Sequence, residues 1–72
     1  MRENKRMILH DLLHVLWKTR AGQDVIDLDL QPDERIVRIV FHREGVRTWT
    51  KLVDVDCDSG LQMVIDICRA LM

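Results

Sequence analysis

Two runs rich in β-branched residues, 35–43 and 46–55, meet at the turn Arg43-Glu44-Gly45, and no other part of the chain restricts the fold as much. With Gly45 in the left-handed position of a three-residue loop, His42 faces Val46 and residues of the same parity in both arms share a face. Val37, Ile39, Phe41, Trp49, Val53 and Val55 then form the core side, with Lys51 as its misfit. The opposite face holds Ile36, Arg38, Val40 and His42 beside Thr48, Thr50, Leu52 and Asp54. A two-residue loop would slip the register by one and exchange the faces of one arm. The three-residue loop is preferred because it gathers the larger apolar set.

The rest of the chain supplies layers for this hairpin. From Asp24 to Leu30, Ile26, Leu28 and Leu30 alternate with Val25, Asp27 and Asp29, the pattern of a half-buried strand. Gln31-Pro32-Asp33-Glu34 has turn chemistry, so this strand is expected to lie antiparallel beside the hairpin, with Asp27 opposite Arg38. Residues 5–20 read as a helix with Ile8, Leu9, Leu12, Leu13, Val15 and Leu16 on one arc, ended by Ala21-Gly22 with Gly22 as a left-handed cap and Lys18 and Arg20 in the last turn. A second helix opens at Asp58-Ser59-Gly60-Leu61-Gln62, where Ser59 and Gln62 have capping-box spacing. Its expected core stripe is Leu61, Val64, Ile65, Cys68 and Met72, which turns Met63, Ile67 and Ala70 away from the core. The resulting fold class is α+β: one α-β-β-β-α domain over residues 1–72, a three-stranded antiparallel meander with two helices packed on one face.

At 72 residues the chain is one small domain, and such a chain buries only about 60% of the surface its unfolded form exposes. The 11 basic and 12 acidic residues nearly cancel, so the molecule as a whole does not attract polyanions. They are arranged in alternating blocks, acidic over 24–34 and 52–72 and basic over 1–20 and 35–51, which suits pairing within the fold. Met1-Arg-Glu-Asn-Lys-Arg-Met lacks the apolar run of a secretory leader, and no stretch of about 20 apolar residues is present. A cytoplasmic location without membrane contact is expected. Cys57 and Cys68 stand about 15 Å apart along a helix rising about 1.5 Å per residue. They are read as reduced thiols, because a disulfide needs Cα atoms within about 7 Å.

The order helix, three-stranded meander, helix resembles the double-stranded-RNA-binding domain fold over almost the whole chain. The motifs by which that family grips RNA differ here. Asp54, Asp56 and Asp58 lead into the second helix where the family carries a basic cluster, and Gln31-Pro32-Asp33-Glu34 replaces its Gly-Pro-x-His loop. Both departures remove RNA contacts, and fold likeness by itself confers no function.

Candidate chemistry is sparse. His10 and His14, four apart on the first helix, can reach one metal ion, but no third ligand is evident and Asp11-Leu12-Leu13 stands where a zinc protease carries its Glu. The pair continues into Trp17 at the i, i+4, i+7 spacing of a contact stripe. The Asp54 to Asp58 run resembles the start of a calcium loop, but the positions for the loop's Gly and bidentate Glu fall on Ser59 and Ile65. Arg38, Arg43, Arg47 and Lys51 with Trp49 form a candidate nucleic-acid surface, opposed by Asp27, Asp29 and Asp33 on the neighbouring strand and turn. No nucleophile stands beside a base, no glycine-rich phosphate loop is present, and no cofactor is implied, so the chain reads as a non-enzyme.

The function expected from these observations is a cytoplasmic protein-interaction module, of adaptor or inhibitor type, acting as a homo-oligomer and most simply a two-fold dimer. Its partner surface is expected on Met63, Ile67 and Ala70, with Trp17, His10 and His14 as a second patch. The alternatives are a nucleic-acid-binding hairpin over 35–51 and a metal-linked protein using His10 and His14.

Overall fold

The computed structural model describes residues 4–72, so Arg2 and Glu3 of the basic N-terminal block lie outside the described residues. Helix α1 spans Lys5–Leu16, strands β1, β2 and β3 span Val25–Leu30, Ile36–Phe41 and Trp49–Asp54, and helix α2 spans Gly60–Leu71. The three strands form one antiparallel sheet in the order β1-β2-β3, with both helices on the same side of it. The core joins Leu9 and Leu16 of α1 and Met63 and Ile67 of α2 to Val25, Leu28, Leu30, Val37, Ile39, Phe41, Val53 and Val55. This is the α+β architecture that the hairpin and the flanking amphipathic segments predict.

Helix α1 begins where Asn4 accepts a hydrogen bond from the Met7 N–H at 3.1 Å, satisfying one of the donors a helix N-terminus leaves free. It stops four residues short of the expected end. Thr19 donates its hydroxyl to the Leu16 carbonyl at 2.8 Å and accepts from the Gly22 N–H at 3.0 Å, so a side chain takes over the carbonyl that a further helical turn would use. Lys18 and Arg20 therefore lie beyond the last turn, where His14 is the basic residue. Gly22 is not a left-handed cap, since the positive φ angles among the described residues fall at Glu34, Cys57 and Gly45. Its role is steric: a Cβ there would lie 2.6 Å from Leu16 Cβ and 2.7 Å from the Leu16 carbonyl oxygen.

Strand β1 departs from simple alternation. Its register against β2 shifts between Val25 and Asp27, so Val25 is buried opposite Phe41 while Ile26 is extruded and half exposed. Between the bulge and the turn the register is continuous and sets Asp29, rather than Asp27, opposite Arg38, and Asp27 opposite Val40. Gln31 to Glu34 forms the expected turn, with the Glu34 N–H donating to the Gln31 carbonyl at 2.8 Å.

The hairpin keeps the expected faces with a different register. Phe41 pairs with Trp49 and Val37 with Val53, two residues further along β3 than a three-residue loop would give. Because the offset is even, every side chain stays on its assigned face. The connection instead runs over 42–48, with Gly45 at φ 80° as expected. Lys51, on the core side, reaches past the core to donate to the Ala70 carbonyl at 2.6 Å, near the C-terminal end of α2.

Candidate interaction surface

Ser59 starts α2 by accepting from the Gln62 N–H at 3.1 Å. The Gln62 side chain does not complete a capping box. It runs forward one turn and donates to Asp66 Oδ1 at 3.0 Å. From this start the helix presents Gly60, Met63 and Ile67 to the interior, where Met63 and Ile67 are completely buried and Ala70 packs at the core's edge. The expected partner residues Met63, Ile67 and Ala70 are therefore core residues. The stripe expected inside lies outward: Leu61 is 70% exposed and Met72 95%, with Ile65 and Cys68 half-buried between them. Both sides of α2 are apolar, so periodicity alone leaves its rotation open by about half a turn.

Outward residues 61, 65, 68 and 72 follow a 4-3-4 spacing, the a/d seam that helices use to pair. Gln62, Asp66 and Arg69 border one side of this stripe. The buried stripe Gly60, Met63, Ile67 and Ala70 follows an equally regular 3-4-3 spacing, so the sequence does not distinguish the two.

On α1, His10, His14 and Trp17 are all exposed and their rings touch in series. The His10 and His14 centroids are 4.8 Å apart and those of His14 and Trp17 are 5.2 Å apart, both edge to face. Trp17 also has a structural role that the sequence does not reveal, since its indole N–H donates to the Val25 carbonyl at the bulge of β1. Val15, expected in the core arc, faces solvent.

The basic hairpin is largely engaged within the fold. Arg38 pairs with Asp29 at 2.8 Å, Arg43 pairs with Asp24, and Lys51 caps α2. Trp49 stacks flat on Phe41, with centroids 5.2 Å apart and ring planes 3° from parallel. Arg47 remains exposed on the long connection.

The aspartates after β3 shape the entry to α2. Asp54 accepts from the Asp56 N–H at 2.9 Å, Cys57 takes a left-handed conformation at φ 64°, and the Asp58 N–H donates to the Val55 carbonyl at 3.0 Å. Asp58 keeps one carboxyl oxygen shielded from solvent without an ordinary donor. Its neighbour is Asp66, and two carboxyl groups can hydrogen-bond only if one holds a proton. That bond raises the pKa of Asp58, helped by desolvation and the nearby Asp66 and Asp54 charges and opposed by Lys5. Asp66 is lowered because it accepts from Asp58 and Gln62.

Among the described residues there is no pocket and no group of three or more metal-ligating side chains. Cys57 and Cys68 are both free thiols, and no helix is long and apolar enough to cross a membrane. Comparison with known proteins finds no matching family model, curated protein or solved structure.

Proposed function

We propose that this chain is a small cytoplasmic protein-interaction module that works as a two-fold dimer, paired through the outer stripe of α2. The observation that carries this reading is the outward 4-3-4 series Leu61, Ile65, Cys68 and Met72, with Leu61 and Met72 exposed and Ile65 and Cys68 half-buried, on a helix whose opposite side already fills the core. Heptad spacing favours another helix as the occupant, because each a/d side chain seats among four residues of a facing helix. Charge favours a second copy running antiparallel. In that orientation Arg69 of one copy approaches Asp66 of the other, and the acidic approach at Asp56 and Asp58 faces the end of α2 that carries Arg69 and Lys51. A parallel pair would set like charges side by side.

The open sheet face is a weaker docking surface. Ile36 and Val40 are half-buried there and Leu52 is exposed, but the Asp29–Arg38 pair crosses the same face. One helix of 12 residues offers a small contact, which suits the low end of specific interfaces.

Sedimentation equilibrium on the wild type and Leu61→Glu tests the proposal. A concentration-dependent dimer is expected for the wild type and a folded monomer for the variant. A wild-type monomer at about 100 μM would overturn dimerisation, since functional dimers bind well below the roughly millimolar range. A dimer indifferent to Leu61→Glu would overturn the choice of α2.

A further inference from the structure

We propose that His10 and His14 form a two-imidazole chelate for one divalent transition-metal ion of the zinc, nickel or copper type. The site is distinct from the outer stripe of α2 and does not depend on dimerisation. Residues four apart lie on the same face of a helix, so the backbone of α1 fixes both Cβ atoms toward a shared volume of solvent.

The spacing of the rings agrees with a single ion between them. A metal nitrogen bond of about 2.0–2.1 Å, added to the roughly 1.1 Å from an imidazole nitrogen to its ring centre, puts each centroid about 3.2 Å from the ion. Two such rings at angles between a right angle and the tetrahedral angle have centroids about 4.5–5.2 Å apart. The observed separation is 4.8 Å, with ring planes inclined by 72°. The rings meet edge to face without an ion, so an imidazole must turn about its side-chain bonds to bring both nitrogens onto the ion.

Two neighbours support the site. The Asp11 carboxylate stands 3.6 Å from His10 Nδ1. At that distance it does not hydrogen-bond the ring, and it adds a negative charge beside the site that attracts a cation. Trp17 packs edge to face with His14 and is itself tethered through its indole N–H to Val25, which limits the rotations open to His14. Imidazole suits zinc, nickel and copper and does not suit the hard cations calcium and magnesium. With two protein ligands, the ion keeps open positions that water fills.

Zinc chloride titrated into the full chain in a non-chelating buffer tests the site, read by calorimetry and by nitrogen-proton NMR. Saturable binding of no more than one ion per chain is expected, with resonance shifts confined to α1 and its C-terminal connection. His42, which contacts Thr48 on the hairpin connection, should not respond. His14→Ala should weaken binding at least tenfold. Moving the second histidine one place, as His14→Ala with Val15→His, should weaken it equally although the number of histidines is unchanged. All these positions are exposed, so circular dichroism should report unaltered folding. Non-saturable binding, shifts centred on His42, or undiminished affinity in the displaced-histidine variant would each overturn the proposal.

Discussion

Ile67 separates the core side of α2 from its outward side more sharply than any other residue, and Ile67→Ala should cost the fold most of its stability. The side chain is completely buried together with Met63, against core residues drawn from α1 and all three strands. Truncation removes about three carbon atoms, worth about 2.4 kcal/mol at roughly 0.8 kcal/mol per buried group. The cavity left behind raises the cost into the range of about 2–5 kcal/mol found for such changes. A single core in a chain of this length seldom supplies more than about 3–5 kcal/mol in total. Urea unfolding followed by far-ultraviolet circular dichroism should therefore show a large fall in midpoint, with a substantial unfolded population before urea is added. Leu61→Ala, two turns earlier on the outward side, should cost less than about 0.5 kcal/mol when measured on dilute monomer. Equal losses for the two variants, or a larger loss for Leu61, would refute the rotation of α2 described here.

Three further outcomes are expected. Gly22→Ala should destabilise by about 1–3 kcal/mol in urea titration, because the added Cβ meets Leu16 backbone as well as its side chain and the backbone must shift. Trp17→Phe keeps the apolar ring but removes the donor to the Val25 carbonyl, and should cost about 1 kcal/mol by the same measurement. Asp58 has a folded pKa above its ordinary 3.8, so its contribution is complete below that value and is lost as pH rises through the raised pKa. Asp66 is lowered and behaves oppositely, losing its contribution as pH falls through its depressed value. Asp58→Asn keeps a donor for Asp66 at every pH, so the urea midpoint of the variant relative to wild type should rise between about pH 4 and pH 7; an unchanged difference would remove the shared proton from the account.

The strands were legible in the sequence because period-two alternation assigns a face without needing the register. The hairpin shows this directly: its pairing is displaced by two residues from the expected one, yet Val37, Ile39, Phe41 and Val53 still face the helices. An odd displacement would have exposed them. The bulge in β1 was not legible, since Asp24 to Leu30 alternates well enough to hide it. What makes the bulge tolerable is a distant donor, the Trp17 indole on the Val25 carbonyl, and an interaction across eight residues leaves no local pattern. The early end of α1 rests on Thr19, a residue type that competes for backbone hydrogen bonds and was available as a cue. Lys51 looked like an error on the core face, and its length explains it: the stem crosses the apolar layer and the amine meets a helix carbonyl.

The orientation of α2 was the largest uncertainty in the sequence, and its cause bears on function. A helix with one apolar side has one buried solution, whereas α2 has two apolar sides of similar strength, so its own periodicity cannot choose between them. The choice is made by the surroundings. Burying Met63 and Ile67 puts Gly60 in the interior at the first turn and brings the Ala70 carbonyl to Lys51 at the last, so both ends are fitted to the sheet. The opposite rotation would bury Leu61, Ile65 and Cys68 and expose two residues that now have no accessible surface. A monomer gains nothing from keeping Leu61 and Met72 apolar once that rotation is fixed, and it bears the risk of nonspecific association. The apolar outer side is therefore better explained by something that covers it than by the fold of one chain. Its 4-3-4 spacing matches the seam a facing helix can use, as the 3-4-3 spacing of the buried side suits the core. Reversing the two properties by experiment separates them. Leu61→Gln with Met72→Gln, both at exposed positions, should leave the monomer's unfolding free energy in urea within about 0.5 kcal/mol of wild type while abolishing association, and loss of folding in that variant would place the outer stripe back in the core.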